Sequence, residues 1–179
     1  METIDIKDYF KISDDHSEVR GFLEVKDKHG RTVFIKENMV TTSGRKFIRD
    51  MCYNAFTKKD TITTSYFNSL SFGSNGSITT TNMENLVNPI ENMNFELCNT
   101  SKFAGDLAYT LGMTYNDNNI KLELTIIDIV NGASYVLREA GLFLYDEATE
   151  KDVMFSRVAF APLTLKSDNL YTINYYIYF

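Results

Sequence analysis

The chain has 179 residues, of which 44% are hydrophobic and 23% charged, a balance typical of one globular domain that buries its core without disulfides or metals. Its 18 basic and 24 acidic residues leave a formal net charge of -6, which argues against nucleic-acid binding because that function needs cations to displace counterions. The aromatic residues are 11 Tyr and 13 Phe, with no Trp and only two Pro, and this composition favours a sheet-rich fold.

The first twenty residues are polar and charged, and they predict an N-terminal arm (1–20) ahead of a single domain over residues 21–179. The arm starts with an acidic sequence, Met1 to Asp5, which lacks the basic-then-apolar order of a signal peptide. No apolar stretch approaches the roughly 20 residues that a membrane-spanning helix needs. We therefore expect the protein to be made in a cytoplasm, to stay soluble and to have no membrane partner.

Two β-rich runs at 21–26 and 32–36 flank a short charged loop that ends in glycine, a pattern that predicts a hairpin. The next segment predicts one helix near residues 43–56, which Thr42 or Ser43 can cap with a hydroxyl group. Apolar residues recur there at the helical period and predict a face that packs on a sheet. These residues are Phe47, Ile48, Met51, Cys52 and Ala55.

Residues 57–106 form a long, threonine-rich polar stretch, and loops of this length tend to carry contacts with partners. Within this stretch, Gly73-Ser74-Asn75-Gly76 lacks the Lys-Ser or Lys-Thr pair of a phosphate-binding loop. We interpret these four residues as a turn whose glycines supply positive φ angles.

The second half of the chain returns to patterns typical of antiparallel hairpins. Runs at 108–115 and 120–126 meet across an Asn-rich turn, and runs at 141–145 and 153–156 flank another polar turn. In the closing strand, 171–179, the odd-numbered residues share one apolar and aromatic face, and the even-numbered residues share the other. The chain is therefore predicted to be mainly β, an antiparallel β-sandwich with one packed helix.

Residues that usually carry catalysis or bind metals are few and scattered. The two histidines, His16 and His29, lie in polar segments, and the two cysteines, Cys52 and Cys98, lack a metal-binding spacing. We therefore predict no enzyme activity, no cofactor and no metal ion.

Three carboxylates of the second half, Glu123, Asp128 and Glu139, are available for the acid and base pair of a glycosidase. Glu123 alternates outward from its strand, where solvated charges usually lie. Glu139 follows Arg138 at the start of an apolar strand, and these two charges can pair with others, within the chain or across subunits. We favour a structural role for this strand entry over a catalytic one.

Several short segments, in this order, resemble a class of tailed-bacteriophage virion proteins found at tails, collars and baseplates. VTTSGRKFI (40–48) resembles the start of their N-terminal helix. LSFGSNG (70–76) and LVNPI (86–90) resemble their strand, Gly-x-x-Gly turn and Leu-x-Asn-x-Ile element. REAGLF (138–143) resembles their R-E-x-G-L-F strand entry, and the segments FSRV and INYYIYF near the end resemble their closing strands.

The resemblance implies a structural virion protein that assembles into a symmetric ring or trimer in the tail or collar region and links fibres or spikes to the particle. Its implied partners are copies of itself and other virion proteins, such as tail, portal-proximal or fibre proteins, with no nucleic acid and no membrane. The alternative is a head-fibre base, a capsid-decoration protein or a receptor-contacting module. Expected assembly or structural residues are Gly73, Gly76, Arg138, Glu139, Gly141, Arg157, Tyr176 and Tyr178.

Two outward tyrosines of the closing strand, Tyr176 and Tyr178, offer a large contact area at low entropic cost, which suits an interface between subunits. The other interpretation is that both rings lie between two sheets of the same subunit. The sequence leaves both interpretations open.

Overall fold

The computed structural model describes residues 19–57, 66–97, 103–147 and 149–178, with the backbone alone for residues 51–57 and 103. Ten strands and one helix lie in these ranges. The strands are β1 (Arg20–Asp27), β2 (Thr32–Val40), β3 (Tyr66–Gly73), β4 (Pro89–Glu96), β5 (Phe103–Ala104), β6 (Leu107–Tyr115), β7 (Asn119–Ile129), β8 (Tyr135–Asp146), β9 (Lys151–Leu165) and β10 (Tyr171–Tyr178). The helix, α1, spans Thr42–Thr57. The mainly β fold and the helix predicted near 43–56 are therefore confirmed, and the predicted arm lies outside the described residues up to residue 18.

All strands pair antiparallel and form one continuous sheet in the order β4-β3-β8-β9-β2-β1-β10-β7-β6-β5. The sheet curls until it is nearly closed into a barrel, so that the centroid of the Phe95 ring on β4 lies 4.7 Å from that of Tyr109 on β6. The predicted antiparallel arrangement is confirmed. The sandwich is not confirmed, because the described strands belong to one hydrogen-bonded sheet.

Strand β2 connects the two halves of this sheet. Its first part pairs with β1, where Asn38 lies opposite Gly21, and its last two residues pair with β9, where Val40 lies opposite Ser156. The chain therefore passes from one half of the sheet to the other within a single strand. The long strands β8 and β9 lie beyond this junction, and they carry the buried charged side chains Glu139 and Arg157.

The closing strand shows how alternation builds the core. On β10 the odd-numbered residues from 171 to 177 are buried, while the even-numbered residues, except Asn174, keep part of their surface in water. This confirms the predicted alternation over Tyr171–Tyr178, and Phe179 lies outside the described residues. Burying an isoleucine such as Ile173 contributes about 1.5–3 kcal/mol to folding.

Helix α1 packs on the core through Phe47 and Ile48, as predicted. Its cap differs from the prediction. The hydroxyl of Thr41 accepts a hydrogen bond from the Gly44 N–H at 3.0 Å, and it donates to the Met154 carbonyl at 2.5 Å, so Thr41 caps the helix and ties it to β9. Among the described residues, no helix combines the length and the apolar character needed to cross a membrane.

Tyr175, on the inner face of β10, is fully buried, and its hydroxyl shares a 2.6 Å hydrogen bond with the Ser156 hydroxyl on β9. Burial raises the pKa of Tyr175 far above its ordinary value because the phenolate would lose its hydration, and the Ser156 hydrogen bond offsets only part of that rise. Unfolded tyrosine titrates near pH 10, so the unfolded chain releases this proton at a lower pH than the folded chain.

We expect the stability contributed by Tyr175 to be fully present below about pH 10 and to be lost as the pH rises from there towards the folded-state pKa, at about 1.4 kcal/mol per pH unit. Tyr175→Phe should remove the contribution of Tyr175 to the pH dependence of the unfolding free energy. The lost hydrogen bond should lower that free energy by about 1 kcal/mol at neutral pH. Urea unfolding at neutral and alkaline pH measures both quantities. Equal alkaline slopes for the two proteins would contradict the buried placement of this hydroxyl.

Candidate functional site

A fully buried ion pair joins strands β8 and β9. Arg157 donates from Nε and Nη2 to Glu139 Oε2, at 2.8 and 2.7 Å, and both side chains are 0% exposed. Charges withdrawn from water in this way persist only when they are paired and their remaining polar atoms are hydrogen-bonded as well. The β3–β4 loop (residues 74–88) supplies those remaining bonds.

The carboxylate binds the end of the β3–β4 loop. Glu139 accepts hydrogen bonds from the backbone N–H groups of Val87 at 3.1 Å and Asn88 at 2.9 Å. The same end is tied to the loop's first residue, because the Ser74 N–H donates to the Asn88 carbonyl at 2.9 Å. The two ends of the loop are therefore held together beside the buried carboxylate.

The guanidinium group binds the first half of the same loop. Arg157 Nη1 donates to the Ser77 carbonyl at 3.2 Å and to Thr79 Oγ1 at 2.9 Å. Ile78, between these two residues, is 87% exposed. The buried cation therefore holds a backbone carbonyl before Ile78 and a side-chain hydroxyl after it, while the Ile78 side chain points into solvent.

Two of the predicted glycines allow the loop to approach so closely. A Cβ atom on Gly73 would overlap Glu139 Oε1 and lie 2.6 Å from the Asn88 carbonyl oxygen. A Cβ atom on Gly141 would lie 2.9 Å from Leu86 Cδ2. Neither glycine has a positive φ angle, so space is the relevant constraint at both. At Gly73 the Asn88 backbone carbonyl excludes a side chain, whereas at Gly141 the crowding atoms are the ends of side chains that can shift.

Gly76 and Arg138, the other two predicted residues of these motifs, lie in more open surroundings. The positive φ angles predicted for Gly73 and Gly76 are wrong, and at Gly76 a Cβ atom would find its nearest neighbour 3.6 Å away, an ordinary contact. Arg138 is exposed and forms no ion pair among the described residues, whereas the adjacent Glu139 points inward to Arg157. The predicted strand entry therefore contains one buried charge and one solvent-exposed charge.

A second buried carboxylate, Glu24, lies on the outer face of the sheet and is 2% exposed. It accepts hydrogen bonds from Thr32 Oγ1 at 2.9 Å, Asn174 Nδ2 at 3.0 Å and the Tyr176 hydroxyl at 3.2 Å, and Lys26 Nζ lies 3.5 Å away. The burial of Glu24 could not be predicted from the sequence, because it depends on the register between β1 and β10, which sets Glu24 opposite Asn174.

Tyr176 and Tyr178 stack on this outer face with ring centroids 6.2 Å apart, and Lys121 Nζ lies 5.9 Å from the Tyr176 ring. Burial, followed by the charge of Glu24, raises the pKa of Tyr176, and burial is also the main cause that raises the pKa of Tyr178. Both rings are half-buried against their own chain and lie outside the core that the odd-numbered residues of β10 fill.

The three carboxylates considered for catalysis each have their own partner. Glu123 pairs with Lys121 at 2.5 Å on the surface, and Asp128 accepts a hydrogen bond from the Ile129 N–H at 2.8 Å. Glu139 is neutralised by its buried guanidinium partner. No two of these carboxylates share a hydrogen-bond partner among the described residues.

The histidines and cysteines add no further site in the described ranges. His29 lies in the β1–β2 turn, where its backbone N–H donates to Asp27 Oδ1 at 2.9 Å. His16, Cys98 and the side chain of Cys52 lie outside the described residues. Within the part of the chain that the structure describes, no group of three or more His, Cys, Asp or Glu residues could hold a metal ion.

Comparison with known proteins assigns no family. No family model, curated protein or solved structure matches the chain. The function therefore has to follow from the protein's own residues and contacts.

Proposed function

We propose that this protein is a structural component of a tailed-bacteriophage virion, which assembles into a symmetric ring or trimer in the tail or collar region and links fibres or spikes to the particle. The observation that carries the proposal is an apolar surface at the far end of β6, which a single chain leaves in water. Assembly with other subunits would bury this surface.

The β6 tip surface consists of Met113, Tyr115 and the facing Ile120 on β7. Alternate residues of β6 share one face, and on that face Leu107 and Tyr109 are buried, whereas Met113 is 57% and Tyr115 84% exposed. The apolar series of the core therefore continues past the core into solvent.

Adjacent apolar side chains exposed in this way favour an interaction site, because leaving them in water is unfavourable and their burial against a partner is favourable. Aromatic residues and methionine are also enriched at the centres of protein interfaces. Identical subunits arranged with closed symmetry bury such a surface in every copy at once. This supports an assembling protein over one that acts as a single chain.

The buried ion pair supports the same proposal through the β3–β4 loop. A hydrogen-bond network whose members are all satisfied holds a loop in one conformation, so Ile78 is presented to a partner without a large loss of loop entropy on binding. A second apolar contact is thus available on a different part of the surface from the β6 tip.

Four of the six segments that resemble virion proteins meet at one place. Segments 70–76, 86–90, 138–143 and 155–158 contribute Gly73, Asn88, Glu139 and Arg157, which contact one another around the ion pair. This convergence supports a shared structural element as the origin of the resemblance. In this proposal the two halves of the sheet on either side of β2 face each other across the core as the layers of a sandwich.

Light scattering on the full chain tests the proposal. We expect a defined oligomer whose association weakens at least tenfold in the double variant Met113→Glu and Tyr115→Glu, because two apolar side chains lose their burial and gain charge. Val33→Glu is the matched control, since Val33 is a half-exposed apolar residue on β2, away from the β6 tip.

A chain that stays monomeric at every concentration would overturn the proposal, and so would equal effects of the tip and control variants. Electron microscopy of virions with this chain labelled separates the alternatives. Label on the tail or collar supports the adaptor, and label on the capsid shell favours the head-fibre base or decoration protein.

A further inference from the structure

A groove of about 660 Å³ lies where β1, β2, the β3–β4 loop and the start of α1 meet. Three cationic side chains line it, Arg20, Lys36 and Arg45, and all three are exposed. Glu37 is the one carboxylate among its described lining residues, and the guanidinium of Arg157 at its base is already neutralised. The groove therefore carries an excess of positive charge in a chain whose formal net charge is -6.

These three cations have no carboxylate partner, as is also true of Lys28, Lys46, Arg138 and Lys151 elsewhere on the described surface. Five other surface cations are paired with carboxylates. The paired ones are Lys26, Arg31, Arg49, Lys121 and Lys166. Like charges that line one concave surface raise its potential and attract an anionic occupant.

The groove also offers apolar contacts. Val19, Met39 and Val158 line it, and Met39 is 37% exposed. The groove is thus suited to an acidic peptide with apolar residues.

We propose that residues 1–18 of the same copy bind in this groove. Six acidic and two basic residues give this segment a side-chain charge of -4, which is most of the charge of -6 on the whole chain. The segment also contains apolar residues, namely Ile4, Ile6, Tyr9, Phe10 and Ile12. Charge and hydrophobicity therefore both match the groove.

Connectivity favours the same copy over a neighbour. The segment joins the described chain at Val19, which lines the groove, so its effective concentration there is in the millimolar range that short tethers give. Eighteen residues reach about 60 Å when extended, which is ample to turn back and follow the groove. A segment from another copy would have to displace this tethered one.

Hydrogen exchange followed by mass spectrometry on the full chain tests the inference. We expect the amides of residues 1–18 to be protected, and the variant Lys36→Glu with Arg45→Glu to exchange about tenfold faster there, because reversing two exposed charges removes attraction and adds repulsion. Lys28→Glu is the matched control, since this exposed lysine of the β1–β2 turn lies outside the groove. Unchanged exchange in β10 verifies that the variant remains folded.

A charge swap makes the test specific. Adding Asp14→Lys and Asp15→Lys to the groove variant should restore protection of the segment, which a general loss of stability would not allow. Unprotected amides in the unaltered chain would overturn the inference, as would equal effects of the groove and control variants. Protection that appears only at high protein concentration would show exchange between copies and would overturn binding within one copy. These outcomes are separate from the oligomer test, because that test changes Met113 and Tyr115, which do not line the groove.

Discussion

Replacing Arg157 with methionine is expected to lower the free energy of unfolding by about 3–5 kcal/mol, because the Glu139 carboxylate would remain buried without its cation. The change also removes the hydrogen bonds to Ser77 and Thr79, so the first half of the β3–β4 loop should lose its attachment to β9. Urea unfolding followed by circular dichroism measures the first effect, and hydrogen exchange of residues 74–88 measures the second.

Arg138→Met is the control for this prediction, because it removes the same charge from an exposed position three residues before Gly141. Its effect should stay within about 0.5 kcal/mol. Combining Arg157→Met with Glu139→Leu should cost less than the sum of the two single changes, since the pair is then removed as a unit. Similar losses for Arg157→Met and Arg138→Met would show that the buried pair is placed incorrectly.

Gly73→Ala is expected to destabilise the protein by about 2–3 kcal/mol, because the added methyl group meets the Glu139 carboxylate and the Asn88 backbone carbonyl. The carboxylate cannot rotate away without leaving Arg157, and the carbonyl belongs to the backbone of the loop. The midpoint of thermal unfolding should fall by roughly 5–10 °C, which differential scanning calorimetry detects.

Gly76→Ala provides the matched comparison within the same motif. The nearest atoms to its added methyl group lie at ordinary contact distances, and its φ angle is not in the left-handed region. The variant should match the unaltered protein or gain about 0.4–1 kcal/mol, because alanine restricts the unfolded chain. If both glycine variants lost the same stability, crowding around the ion pair would not be the reason for glycine at position 73.

These two predictions concern the same loop that presents Ile78 to solvent. A variant that loosens the loop without unfolding the sheet should therefore weaken assembly under the proposed function, even though its substitution is buried. The ion pair thus stabilises the interior and also fixes the position of Ile78 on the surface.

Features that depend on neighbouring residues could be predicted from the order of the amino acids alone. The period of two along β10 predicted which residues enter the core, and the period of 3.6 predicted the helix that spans Thr42–Thr57. Hairpins followed from runs of alternation on either side of polar turns. Each of these features is a local preference of the backbone and its side chains, and it can be recognised without knowledge of the rest of the chain.

For other residues, the sequence predicted a structural role but did not indicate the partner. Glu139 and Arg157 were both expected to have structural roles, yet nothing in their spacing indicates that they meet. Strands β8 and β9 are longer than predicted because charged residues interrupt their apolar pattern, and such residues can lie inside only when the neighbouring strand and the β3–β4 loop satisfy them. The cap on α1 was assigned to the wrong residue for a similar reason, since Thr41 is held in place by β9.

The closure of the sheet and the partners of its buried charges depend instead on contacts between strands that are far apart in the chain. Glu24 is buried because the register of β1 against β10 places Asn174 opposite it and Tyr176 within hydrogen-bonding distance. A register between distant strands is a property of the whole sheet, because it minimises the free energy of all the pairs at once. The sequence therefore established the composition and the strand pattern of this acidic, aromatic-rich domain, while the assembled sheet determined which of its charges are withdrawn from water.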